Sequence, residues 1–176
     1  MHKAWLLSSI IATTLLLSGC SILSGRNLAD ISCEFPDDPL TLAPNWLCDP
    51  QQVGVEYAAV GTTATDNQAP LQAQQVARLL AVKQLAERLQ AAVSQQVGIY
   101  RDSSQATELA LAQLQQTPVL GSRRSPQGQL YVVVGMDENS WIVAGEKLLS
   151  DNWPFWQVPL SDRQTVIESW REFSLN

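Results

Sequence analysis

The stretch "QLYVVVGM", Gln129 to Met136, constrains the fold more than any other part of the chain. Three consecutive valines follow a leucine and a tyrosine, and β-branched and aromatic residues favour a pleated backbone. Side chains of a strand alternate between two faces. A run that is apolar on both faces needs cover on both, so it predicts a central strand covered by the chain itself or by a partner. Val119–Arg124 precedes it as a second arm. The intervening Ser125-Pro126-Gln127-Gly128 places Ser, Pro and Gly where a type I turn prefers them. The pair predicts an antiparallel hairpin.

Other elements follow from changes of period. In "VGVEYAAVGTTAT", Val53, Val55, Tyr57 and Ala59 alternate, which predicts a half-buried strand with the folded body starting near Val53. Gly61 either ends this strand or allows another backbone close to it. From about Ala69 to Val97 the period becomes helical. Leu79, Val82, Ala86, Leu89 and Val93 recur at three and four as one stripe, with Arg78, Lys83, Glu87 and Arg88 mostly outside it. Pro70 suits the first turn and Gly98 the stop. A second helix is expected over Ser104–Gln116, capped by Asp102 or Ser103, with Leu109, Leu111 and Leu114 on its apolar side. Thr117-Pro118 closes it, because proline disfavours helix in the residue before it. A third is expected over Ser140–Ser150, with Trp141, Ala144, Gly145 and Leu148 inward. "NWPFWQVPL" reads as non-helical. A last helix follows Pro159, with Ser161 and Gln164 as a capping box and Val166, Trp170 and Phe173 as its stripe.

The fold class is therefore α+β: a small antiparallel sheet packed by a long helix and shorter helices, with a C-terminal helical arm. Residues 1–19 read as a signal segment, 20–52 as a tether and cysteine loop, 53–150 as the α+β domain, and 151–176 as an aromatic arm and helix.

The signal reading rests on the first twenty residues. Lys3 precedes an uncharged run from Ala4 to Leu17, too short to span a bilayer comfortably, since that takes about 20 apolar residues. The run ends on Leu17-Ser18-Gly19-Cys20, which resembles the lipobox of bacterial lipoproteins at all four places. The resemblance implies lipidation of Cys20, cleavage before it, and a mature chain that begins there. Ser21 is not Asp, which in the sorting rule of envelope lipoproteins implies the outer membrane. The rival reading is an ordinary signal peptide with an accidental cysteine. Ser21 to Asp30, with Ser24-Gly25-Arg26-Asn27, reads as a flexible tether.

About 156 residues follow Cys20, enough for one domain with a real core. Loss of Lys3 leaves ten Lys and Arg against 17 Asp and Glu, a side-chain balance of −7. Nucleic acid and anionic headgroups need clustered cations, so neither is an expected partner. Arg123-Arg124, the one basic pair, reads as a solvated strand end. His2 is the only histidine and leaves with the signal, which excludes Ser-His-Asp and Cys-His catalysis and histidine zinc sites in the mature chain. The glycines are too scattered for a phosphate loop. No cofactor is implied. A pair of carboxylates remains open for acid–base chemistry.

Cys33 and Cys48 remain after Cys20. An exported chain meets an oxidising compartment, so a bridge is preferred over free thiols or a metal pair, which would need further ligands. Pro36, Pro39 and Pro44 lie between them, and the loop shows neither helical nor strand period. In the arm, Trp153, Phe155, Trp156 and Trp170 are either core or contacts for a neighbouring copy or envelope partner. The core reading is preferred.

"APNWLCDP", "YAAVGTTA", "ARLLAVKQLAERLQAAV" and "GQLYVVVGMD" together resemble the LPP-twenty lipoprotein family. The matching positions are Trp46 and Pro50, then Tyr57, Val60, Gly61 and Ala64, then Ala77-Arg78, Ala81, Leu85-Ala86 and Leu89. The likeness covers roughly Pro44 to Asp137; Cys33, Cys48 and the arm from Trp153 lie outside its pattern. It implies a non-enzymatic outer-membrane lipoprotein that serves as a structural or interaction module in the envelope. Some relatives build the ring or disk around the flagellar motor. The alternatives are a lipoprotein that regulates an envelope enzyme or secretion machine, and a carboxylate enzyme acting on cell-wall glycan.

Overall fold

A computed structural model describes residues 33–64, 70–98 and 102–174. The signal segment, Cys20 and the tether to Asp30 lie outside the described residues. The architecture is α+β, with two small antiparallel sheets, one long helix and shorter helices toward the C-terminus.

The main sheet has three strands in the order β3-β5-β4. β5, Gln129–Met136, is central as its composition demands, between β3, Tyr57–Ala64, and β4, Val119–Arg124. Register runs from Tyr57 opposite Met136 to Ala64 opposite Gln129. The β4–β5 turn is closed by the Gly128 amide donating to the Ser125 carbonyl at 3.1 Å, and Gly128 takes a φ of 91°. β3 begins later than expected. Val53 closes a short 3-10 turn, Pro50–Val53, capped by Asp49, whose side chain accepts from the Gln51 amide.

One face of the sheet packs on α1, Pro70–Val97. Ala59, Val132 and Val134 meet Val82, Leu85, Ala86, Leu89 and Val93 in the buried core, with Tyr57, Leu130 and Met136 at its margin. Gly61 does not end β3. A Cβ there would collide with the Ala77 carbonyl and the Ala81 amide, so the glycine lets helix and strand backbones meet. This explains a departure from the expected stripe. The first half of α1 turns Ala73, Ala77 and Ala81 to the sheet. Leu79 lies two residues from each of Ala77 and Ala81, about 200° around the helix at 3.6 residues per turn, and is 55% exposed. α1 also reaches the edge strand with side chains. Arg88 donates to the Ala58 carbonyl at 2.9 Å and Gln84 to the Val60 carbonyl at 3.0 Å. Such cover guards a strand against unwanted pairing. Gly98, with a φ of 65°, stops the helix.

α2, Ser103–Gln113, is capped by Asp102, whose carboxylate accepts from the Ser104 amide at 2.9 Å. It buries Ala106 and Ala110, with Leu114 just beyond its end; Leu109 and Leu111 are half-buried. It ends before Thr117-Pro118, and the Thr117 hydroxyl donates to the Leu114 carbonyl at 2.7 Å. Arg78 donates to the Gln115 and Thr117 carbonyls, tying this exit to α1. α3, Glu138–Ser150, is capped by Asp137 and turns Trp141, Ala144, Gly145 and Leu148 inward, as expected. Trp141 stacks flat on Tyr57, centroids 4.1 Å apart.

Two segments depart from expectation. The loop between the cysteines holds regular structure: β1, Glu34–Phe35, pairs with β2, Asp38–Leu42, and Asn45–Leu47 forms a 3-10 turn. The folded unit therefore takes in residues from Cys33 onward, not from near Val53. In the arm, Trp153–Trp156 is one helical turn, α4, where a non-helical segment was expected. Pro154 sits in the first turn, where its fixed φ and missing amide do no harm. α5 runs from Arg163 to Ser174 behind a 3-10 turn at Leu160–Asp162. The Ser161 hydroxyl donates to the Asp162 carboxylate and the Gln164 side chain to Glu168, so the expected capping box is not formed.

Candidate functional site

The second face of the sheet carries Ala58, Val60, Tyr131, Val133 and Gly135, which the register sets side by side. The N-terminal segment covers it. Phe35 is 2% exposed and packs on Tyr131, ring centroids 5.7 Å apart. Trp46 lies over β4: a Cβ placed on Gly121 would sit 3.6 Å from its Nε1. Val55 lies on Gly135, where an added Cβ would come within 2.6 Å of its methyl. The two-sided apolar character of β5 is thus answered from within the chain, by α1 on one face and by residues 33–55 on the other.

That cover is short of apolar residues and is fastened by other means. Cys33 and Cys48 are bridged, their Cα atoms 5.8 Å apart. The bridge closes the hairpin and the turn carrying Trp46 into one loop. Asp37, at the hairpin tip, accepts hydrogen bonds from the Ser125 hydroxyl and, at 2.7 Å, from the Tyr131 hydroxyl. The Ser125 oxygen accepts in turn from the Gln129 amide at 3.1 Å. Burial, reinforced by the neighbouring Asp37 carboxylate, pushes the Tyr131 phenol up to about 12. Burial works to raise Asp37 as well, but the bonds from Ser125 and Tyr131 outweigh it and hold the carboxyl below its ordinary value. Near neutral pH the pair is a phenol donor and a carboxylate acceptor. That suits a tie between segments; a tyrosine held in its protonated form is a poor base.

The arm residues separate into two classes. Trp156 and Trp170 are fully buried in the core. Trp156 donates to the Leu148 carbonyl at 3.0 Å. Trp170 donates to the Ile142 carbonyl at 2.9 Å, and its ring fills the space a Cβ on Gly145 would need. Both indoles find the partner that a buried N–H requires, and both are core rather than open contact surface. Trp153 and Phe155 are half-buried. The Arg163 guanidinium lies 5.3 Å from the Trp153 ring centroid. Arg171 pairs with Glu146 across α5 and α3, and its hydrogen bond holds the Glu146 carboxyl below its ordinary value. The most exposed apolar side chains are Leu40 at 96%, Leu160 in the arm at 79%, Leu71 at 75% and Leu42 at 69%.

Sequence reasoning found the cysteine pair but not the sheet-covering role of the loop. Phe35 and Trp46 lie among prolines and acids with no period to reveal a shared target, and the alternation of Val55 with Val53 and Tyr57 reads as strand, not as cover. The signal available was the demand of β5 for cover on both faces. Among the described residues no helix is long and apolar enough to cross a membrane, and no group of three His, Cys, Asp or Glu side chains is placed to hold a metal ion. No family model matches the sequence, and no curated protein matches it.

Proposed function

We propose that this chain is a lipid-anchored outer-membrane protein whose body serves as a non-enzymatic structural or interaction module of the cell envelope, related to the LPP-twenty lipoproteins. The observation that carries the reading is Leu17-Ser18-Gly19-Cys20 at the end of a short uncharged run behind Lys3. Acyl chains on Cys20 would hold the body without a spanning helix: each buried methylene contributes about 0.8 kcal/mol, and two chains hold where one does not. The family reading rests on the sequence resemblance of Pro44 to Asp137, and the resembling segments pack on one another. Trp46, Tyr57, Gly61, Ala77 and Ala81 are each at a contact between elements. A mature sequence without histidine supports a binding role over His-dependent catalysis. The expected partners are envelope proteins, a flagellar ring among them, or a second copy of the chain.

Changing Cys20→Ala should release the protein from the membrane fraction or leave the signal uncleaved, and metabolic labelling with palmitate should be lost. Membrane-bound, fully processed and palmitate-labelled Cys20→Ala protein would refute the anchor.

A further inference from the structure

We propose that the β1–β2 hairpin docks on the surface of the bilayer that holds the anchor, inserting Leu40 and Leu42 among the headgroups. This rests on the anchor reading above. Leu40 and Leu42 are two apart on β2, so both point to one side of the strand. They are 96% and 69% exposed. A single exposed leucine is ordinary; two adjacent ones on a strand face are a small apolar prow. It cannot fold back on the sheet, because the Cys33–Cys48 bridge and the Asp37 bonds to Ser125 and Tyr131 fix the hairpin's other contacts to the body.

The length of chain before the hairpin selects the occupant. Twelve residues lie between Cys20 and Cys33, and at about 3.3–3.6 Å per residue the thirteen steps from one cysteine to the other reach at most about 47 Å. The hairpin is the first described part of the body after the anchor, and a short tether keeps it close to the membrane at high effective concentration. Charge then selects the lipid. The stretch Cys33–Cys48 carries Glu34, Asp37 and Asp38 and no Lys or Arg. Asp37 is turned to the body, and Asp38 accepts from the Thr41 hydroxyl at 2.7 Å. Such a tip is repelled by anionic headgroups and suits a zwitterionic surface. Each leucine adds buried apolar area to an attachment that the acyl chains already supply.

The test places a photoreactive diazirine amino acid at position 40 in the full chain, and separately at position 160 in the arm. Each processed protein is purified and reconstituted in phosphatidylcholine vesicles. Intact mass reports acylation of Cys20, the bridge and any crosslink in one spectrum. The expected result is an acylated, bridged chain with a phospholipid adduct at position 40 at least about tenfold above that at position 160. Adding Leu42→Asp should cut the adduct at position 40 several-fold. Doping the vesicles with phosphatidylglycerol should lower it. Acylated protein with no excess of lipid adduct at position 40 overturns the docking while leaving the anchor intact. A crosslink from position 40 to a second polypeptide overturns it in favour of a protein partner. An unacylated Cys20 overturns the anchor, and this proposal with it.

Discussion

Two additions to the helix-and-sheet centre are held in contrasting ways. The C-terminal arm buries two whole tryptophans, Trp156 and Trp170, each bonded to a carbonyl of α3. The N-terminal cover buries Cys33 and Phe35 fully and leaves Trp46 and Val55 half-buried. The arm adheres because a buried aromatic removes about 150–250 Å² from water. The cover has too little apolar area for that. It adds a covalent bridge and a carboxylate tie, which limit the ways the open segment can spread. A chain end can cover a surface by apolar mass or by restriction, and this molecule uses one at each end.

Loss of the arm should have the largest effect. Removing Asn152 to Asn176 strips both tryptophans from the core, so the protein should become insoluble or melt far lower, as circular dichroism would report. A truncated chain that melts unchanged would break the comparison. Trp170→Ala isolates one anchor and should cost about 3–5 kcal/mol in denaturant unfolding. Gly145→Leu attacks the same contact from the other side by overfilling it and should also lower stability, since the ring has no room to move.

Opening the bridge should come next. Cys48→Ser removes closure of a 15-residue separation and should lower stability by about 3 kcal/mol in the chain-entropy account. Cys33 and Cys48 in the native protein should resist alkylation until a reductant is added. Equal labelling before and after reduction would remove the covalent half of the contrast.

A smaller effect is expected from the tie. Tyr131→Phe keeps the ring on Phe35 and deletes the hydroxyl that Asp37 accepts. In the native chain the phenol is raised from 10.0 to about 12. Its contribution is therefore complete below pH 10 and lost as pH rises toward 12. The carboxyl of Asp37 is lowered from 3.8, so its contribution holds above that value and is lost as pH falls below it. The pH–stability curve of Tyr131→Phe should lack the alkaline loss. An identical curve in both proteins would mean the tie adds nothing. Smallest of all, Arg171→Ala removes an exposed pair with Glu146, and pairs of that kind contribute little; a melting temperature near the native one is expected.

Periodic elements were legible in the sequence, and single contacts were not. The unbroken apolar run of β5, the turn at Ser125–Gly128 and the long helix with its stop at Gly98 are local patterns, and each forms as the residues suggest. Leu79 misled because helical spacing alone does not say where a helix crosses a sheet; that is fixed by Gly61 meeting Ala77 and Ala81. Pro154 misled because a proline breaks a helix only away from its first turn. The cover was hidden for another reason. Phe35 and Trp46 are eleven residues apart with prolines between them, and their common target lies on β4 and β5, far along the chain. The proposed membrane anchor is read wholly from the first twenty residues.

Hydrogen–deuterium exchange of the oxidised and reduced chain tests most directly whether the N-terminal segment is a cover held by its bridge. Reduction should speed exchange across Glu34–Val53 by at least about tenfold, while the amides of α1, α3 and α5 keep their protection. Unchanged exchange over Glu34–Val53, or a loss of protection spread equally over the whole body, would contradict it.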